Sequence, residues 1–464
     1  MLTIFSGQEK TQCNGMSRRD FISAGSLALG SLSLPQLLSA NQTGYMDRRY
    51  IRDRSVVLLY LSGGASQIET FDPKPNSRTG IGSVNGSHAT RVAGIRLGGA
   101  FPGLAERFDQ MAIIRSFHHA VGSHEQAHVH VLTGGTDPRG DQKNGYSMGS
   151  LVSRLRGASH LDSGMPTYSL LTEKEVDGQY RSELSRVRKG SHAGELGQHY
   201  APFEPAAGGT ALSNMTLSVP AERFGERRIL LSMLDGCQKK MENLGPPPTN
   251  KFVDQAETLL SGGGRQALDL SSEDPRLIQQ YDTSHIPIGF KKFRPSTLGK
   301  QMLMARRLCE SGCGFVTVHS AGWDMHADSN NPGMQVGMDM LGRSLDKAVS
   351  AFLSDVKRRG LTEKILLVIT GDFGRTPKLN DRGGRDHWAR LCPLALAGGG
   401  VQGGQAIGQS TRDAGEPLSD PYTTGHLLAT VMHSLFDMGE LRLQTQFPRA
   451  ILQMLEKKKP IPVF

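Results

Sequence analysis

The chain has 464 residues, a formal net charge of +9, 37% hydrophobic and 6% aromatic residues, and 56 glycines. That length carries one large α/β domain with insertions, or two domains, and the composition excludes a fibrous or disordered chain. The positive charge sits in short runs such as "RVRKG", "KKFRP" and "EKKKP". With no nucleic-acid motif beside them, these read as solvated faces, suited to an anionic ligand or an acidic matrix.

Near the start, Ser17-Arg18-Arg19-Asp20-Phe21 precedes a weakly apolar stretch that reaches small residues near Ala40. This pattern predicts a twin-arginine export signal over residues 1–40 and a mature chain, 41–464, in the periplasm or outside the cell. The alternative is an N-terminal helix that stays. The stretch is short, rich in Gly and Ser and broken by Pro35, and no later apolar run is long enough for a permanent membrane span. Cleavage would remove Cys13 and leave Cys237, Cys309, Cys313 and Cys392, which read as buried small residues before they read as a disulfide or a metal site.

Residues Ser55 to Leu61 form the first predicted strand, stopped by Gly63-Gly64, and Ala112 to Ser116 the second. A helix follows from about His124 to Leu132, then the glycine turn "TGGTDPRG" and a helix "SMGSLVSRLRG" with Ser147 as its cap. About 160–300 reads as an irregular insertion with amphipathic pieces such as "RILLSMLDGCQKKMENL" and a surface loop "GPPPTN". Beyond it come a helix "LGKQMLMARRLCESG", a strand "GFVTVHS", a long helix from Gly337 to Arg359 and the strand "KILLVIT". The strand "CPLALAGGG" and the helix "TGHLLATVMHSLFDMG" close the series. Alternating strands and helices predict a mostly parallel sheet with helices on both faces.

Chemistry-bearing residues gather just after strands, where ligands collect in open α/β sheets. Ser66, Gln67, Glu69 and Asp72 follow the first; His319, Asp324, His326 and Asp328 follow "GFVTV"; Asp372 and His387 follow "KILLVIT". Mixed carboxylates and imidazoles suit a divalent cation such as Zn²⁺ or Mn²⁺. The bland alternative is that the acids cap turns and the histidines are satisfied core groups. A further stretch, "SFHHAVGSHEQAHVHVLTGG", holds a capping-box pattern from Ser123 to Gln126 and puts His124 and His128 on one helix face. Its exposed N–H groups make that helix start an anion site in waiting.

The stretches "SGGASQIETFDPKP", "HEQAHVHVLTGG", "LMARRLCESGCGFVTV", "GWDMH" and "GDFGRTP…GRDHW…LAGGG" together resemble the bacterial "domain of unknown function 1501" family, over most of the chain after about residue 50. That family in turn resembles the alkaline phosphatase–sulfatase superfamily. The resemblance implies an α/β/α sandwich with a metal centre beside a helix N-terminus, in a single domain over 41–464. Carried over, it implies one metal held by Asp324, His326 and His387, and a second begun by Asp372, where Phe373 replaces the expected His. An acid after the first strand is missing unless Glu69 or Asp72 reaches back. The superfamily's nucleophile position falls on His124, with Ser123 one step before it, and the absence of a Cys there excludes formylglycine chemistry.

Two functions are compatible with these residues. In one, the protein is a metal-dependent hydrolase of phosphate or sulfate esters, with Zn or Ca as the cation. Ser123, His124 or water would attack, and Arg375 with the helix start would hold the anion. In the other, it is a non-catalytic relative that binds metal and an anionic or glycan ligand. The partner in either case is an anionic small molecule or a polysaccharide ester, not nucleic acid.

Overall fold

The apolar run Ser55–Leu61 (β1) is buried at all seven positions, as a strand covered on both faces must be. The structure, a computed structural model, describes residues 48–77, 80–142, 145–172, 178–205 and 264–464, with isolated positions between 206 and 263. The export stretch, Cys237 and the "GPPPTN" loop lie outside the described residues. Residues Ile51–Phe464 form one compact unit.

Six more strands join β1 in one sheet: β2 (Met111–Ile114), β3 (Tyr168–Leu171), β4 (Phe315–Ser320), β5 (Ile365–Gly371), β6 (Leu394–Ala397) and β7 (Gln405–Ile407). Their order across the sheet is β7-β2-β6-β5-β1-β4-β3. The pairs β1–β4, β1–β5, β3–β4 and β2–β7 are parallel, and β6 runs antiparallel to both its neighbours. The expected mostly parallel sheet is therefore present, with β6 reversed.

The main helices are α1 (His124–Leu132), α2 (Met148–Arg156), α3 (Gly178–Gly190), α4 (Leu298–Glu310), α5 (Arg343–Arg358) and α6 (Thr424–Leu435). Alternate residues of the central strands sort the layers. Val57, Leu59, Val318, Leu367 and Ile369 join one core with Met302, Leu303, Leu345 and Phe352 of α4 and α5. Val56, Leu58 and Tyr60 are equally buried but face away from that core, on the side where α2 and α6 pack. This is an α/β/α sandwich. The long helix expected from Gly337 to Arg359 is interrupted by a π turn at Met338–Gly342 before α5 begins. The turn lies between two glycines where the backbone nearly touches its neighbours: a Cβ on Gly337 would meet the Met325 sulfur at 2.5 Å, and one on Gly342 would meet Ala100 Cβ at 2.7 Å.

Parallel register brings the carboxyl ends of β1, β4 and β5 side by side. Leu61 pairs with both Ser320 and Gly371, so the loops bearing Gly63, Asp324 and Asp372 leave the sheet together. The start of α1 covers the same edge.

Candidate metal centre

Gly63 and Gly64 let these loops close on one another. Gly63 has φ +105°, and a Cβ there would sit 2.5 Å from Asp324 N; Gly64 has φ +83°, and a Cβ there would sit 2.7 Å from the Phe373 ring. No side chain fits, and positive φ favours glycine. The Gly63 N–H donates to Asp372 Oδ1 at 3.1 Å.

The acids and imidazoles converge over this floor. His124 Nδ1 lies 2.5 Å from Asp372 Oδ2, and its Nε2 faces Asp324 Oδ2 at 3.4 Å. His326 Nε2 is 2.9 Å from Asp324 Oδ1, and His387 Nε2 is 3.5 Å from the same oxygen. The Phe373 ring fills the wall between them, 4.7 Å from His124 and 4.6 Å from His387 between ring centres. Among the described residues two groups offer three metal-ligand atoms within 4.8 Å of one another: His124, Asp324 and His387, and His124, His128 and Asp372.

The outer partners set the tautomers. Acceptors fix a proton on each Nδ1: Asp372 for His124, Asp386 Oδ1 at 3.1 Å for His326 and Gly122 O at 3.2 Å for His387. With a cation bound, each ring would be neutral and turn its Nε2 lone pair inward. His326 Nε2 and His387 Nε2 stand 2.8 Å apart beside a carboxylate, and buried His124 Nε2 has no hydrogen-bond donor among the described residues. Lone pairs and negative charge at such distances repel unless a proton or a cation lies among them. Carboxylate–imidazole pairs that orient a ring in this way are typical of metal ligands, so the residues present fit a divalent cation.

The electrostatics agree. Burial alone would lower the His124 pKa, but Asp372 and Asp324 outweigh it and push it up to about 9. Burial would raise Asp324, yet hydrogen bonds with His124, His326 and His387 and the charge of Arg375 hold it well below the usual carboxylate range. Asp372 is held low against its burial by His128 and His124. Burial lowers His387. Without a metal, the site keeps its positive charge as a proton on His124.

The expected site residues take unequal places. Asp324 and His387 stand at the centre with His124. His326 touches it from the side, shared between Asp324 and Arg375 Nη1 at 3.2 Å. Asp372 orients His124. Ser123 precedes α1 in extended conformation, but the capping box is not formed: its side chain makes no cap hydrogen bond, and it is exposed. Arg375 is fully buried, and its five N–H groups are spent on Gly64 O, Gly63 O, Arg385 O, His326 and Asp324. None remains for a substrate anion. Glu69 does not reach back; it pairs with Arg385 at 3.0 Å. Asp72 does not either; it is held by Lys74 at 3.0 Å, by Arg115 and by Ser410. Where an acid was sought after β1, Ser62 bonds His128 Nε2 at 2.7 Å.

Sequence reasoning put His128 on one helix face with His124 but assigned neither His128 nor His119 a place in the site. His128 stands one turn from His124, and that i, i+4 spacing was its signal. His119 accepts from Val121 N and donates through Nε2 to Asp372 O at 2.6 Å; burial lowers its pKa to about 4, keeping it neutral in that role. No spacing rule points to it.

Among solved structures the chain is similar to the lipoteichoic acid synthase LtaP of Listeria monocytogenes, with a TM-score of 0.37 and 10% identity over 84% of this chain and 74% of that one. The PsFucS1 sulfatase of Pseudoalteromonas sp. has a TM-score of 0.36 and 13% identity over 89% and 71%. The alkaline phosphatase of the Antarctic bacterium TAB5 has a TM-score of 0.31 and 12% identity over 82% and 98%. Comparison with curated protein sequences gave no match. The profile of one family, described as "Protein of unknown function (DUF1501)", matches residues 53–444. The chain belongs to that family.

Proposed function

We propose that the protein is an exported, divalent-metal-dependent hydrolase of phosphate or sulfate esters. The observation that carries this reading is the convergence of His124 Nε2, Asp324 and His387 Nε2 beside the start of a helix, at the carboxyl edge of a parallel sheet. Two imidazoles and one carboxylate favour zinc over calcium, which prefers an all-oxygen shell. A bound cation there would supply Lewis acidity toward an ester oxygen.

The chain's own groups would do the rest. Gly122 O holds His387, and His124 is held by Asp372, so Ser123 lies between a residue that orients His387 and one that faces the centre. Its hydroxyl is exposed and not spent on capping, whereas His124 gives one nitrogen to Asp372 and turns the other to the centre. Ser123 is therefore the nucleophile in this reading: its hydroxyl gives its proton to water as its oxygen bonds to phosphorus or sulfur, the ester bond breaks, the departing alcohol takes a proton from water, and a second water then cleaves the Ser123 ester, releasing phosphate or sulfate and restoring the hydroxyl. The N–H groups at the start of α1 favour the anion under attack.

The test is metal analysis of the mature protein with a panel of phosphate and sulfate esters. About one zinc per chain is expected, lost in His387→Ala, with turnover removed in Ser123→Ala. A zinc-free wild type defeats the proposal. A second reading, a metal- and anion-binding protein without turnover, draws support from the missing acid after β1 and the fully engaged Arg375. A zinc-loaded wild type that cleaves nothing across the panel would decide for it.

A further inference from the structure

The insertion contributes to the centre. Its helix α3 buries Tyr180, Glu183, Leu184 and Val187 and packs against α1. Glu183 is 1% exposed. Its Oε2 accepts from Gly322 N at 2.8 Å, two residues before Asp324. Its Oε1 has no hydrogen-bond partner among the described residues, and a Cβ on Gly63 would lie 2.9 Å from it. Gly63 is the residue whose N–H holds Asp372. One buried carboxyl group thus stands between the loop that carries Asp324 and the turn that holds Asp372. Gly322 has φ +95°, and a Cβ there would lie 2.4 Å from the Tyr180 hydroxyl, so only a glycine lets α3 seat this closely.

A buried carboxyl with one unpartnered oxygen is costly to keep, and helix packing alone does not require it. Burial, with Asp324 and Asp372 nearby, raises its pKa well above the usual value.

We infer that Glu183 is a positioning residue for the metal centre, holding the Asp324 loop through the Gly322 N–H from outside the sheet. The metal arm of its test rests on the function proposed above; the loop arm does not. Amide exchange of the Ala321–Met325 segment is measured in metal-free full-length protein, and zinc affinity by competition with a chelating indicator. Glu183→Ala should lose at least about tenfold protection in that segment and about 10- to 100-fold in zinc affinity. Glu183→Gln keeps an acceptor oxygen and should restore both to near wild type. Should the alanine variant not fold, Glu183→Asp, too short to reach Gly322, should show the same losses.

Wild-type protection in Glu183→Ala or Glu183→Asp overturns the inference. Equal losses in Glu183→Gln overturn it too, because the acceptor oxygen would then not be what matters. Unchanged zinc affinity alongside lost protection removes the link to the centre. If wild type binds no zinc, the proposed function falls while the exchange data still decide whether Glu183 holds the loop.

Discussion

His124 shows how much one residue's neighbours decide. An exposed imidazole titrates near 6.5. Here Asp372 and Asp324 raise it to about 9 against its burial. A folded pKa above the unfolded one gives stability that is complete below about pH 6.5 and is lost as pH rises through about 9. The metal-free protein should therefore lose about 3 kcal/mol between those values. Burial also lowers His119 to about 4 and His319 to about 3, which adds stability as pH rises through about 6.5, and raises the Cys309, Cys313 and Cys392 thiols, which removes stability above about pH 8.5; comparison with Asp372→Asn isolates the part due to His124. Urea unfolding of chelator-treated protein from pH 6 to 9.5 measures the slope. Asp372→Asn, which removes the nearer charge, should reduce the loss of stability towards pH 9; identical profiles in wild type and variant would refute the assignment. Zinc should remove the part due to His124 by replacing the proton.

The turn after β1 is the element on which the centre depends. Gly63→Ala would meet Asp324 N and Glu183 as well as an unfavourable φ. Strain and overpacking together should cost about 2–5 kcal/mol. Gly360 is the control. Its φ is +68° but nothing lies within 4 Å of a Cβ, so Gly360→Ala should cost only the backbone strain, about 1 kcal/mol. Denaturant midpoints of the two variants test the difference, and equal losses would show that close approach at Gly63 is not the constraint. The glycine pair was visible as the stop of a strand. That two further loops press against it was not, because they come from residues hundreds of positions away.

For the molecule as a whole, the function proposed above includes export. Ser17-Arg18-Arg19-Asp20-Phe21 supports export in folded form, although those residues lie outside the described ones. Arg18→Lys combined with Arg19→Lys should leave the precursor in the cytoplasmic fraction, and normal processing of that variant would end the export proposal. Among the described residues no helix is long and apolar enough to cross a membrane.

The strands and helices flanking the sheet were legible because each is local: six apolar residues in β1, the cap at Ser147, the helix from His124 to Leu132. Asp324, Asp372 and His387 were legible as candidates because parallel strands deliver their outgoing loops to one edge. Only the tertiary structure decided which atoms meet there. It brought His124 to the centre with Asp324 and His387, left Ser123 free of the helix it precedes and spent every N–H of Arg375 on the loops. It also drew Glu183 from a segment that reads as irregular insertion. A sequence pattern reports a residue's own helix or strand, through spacing along the chain. Hydrogen-bond partners, burial and the resulting pKa values depend on groups brought close only when distant segments pack.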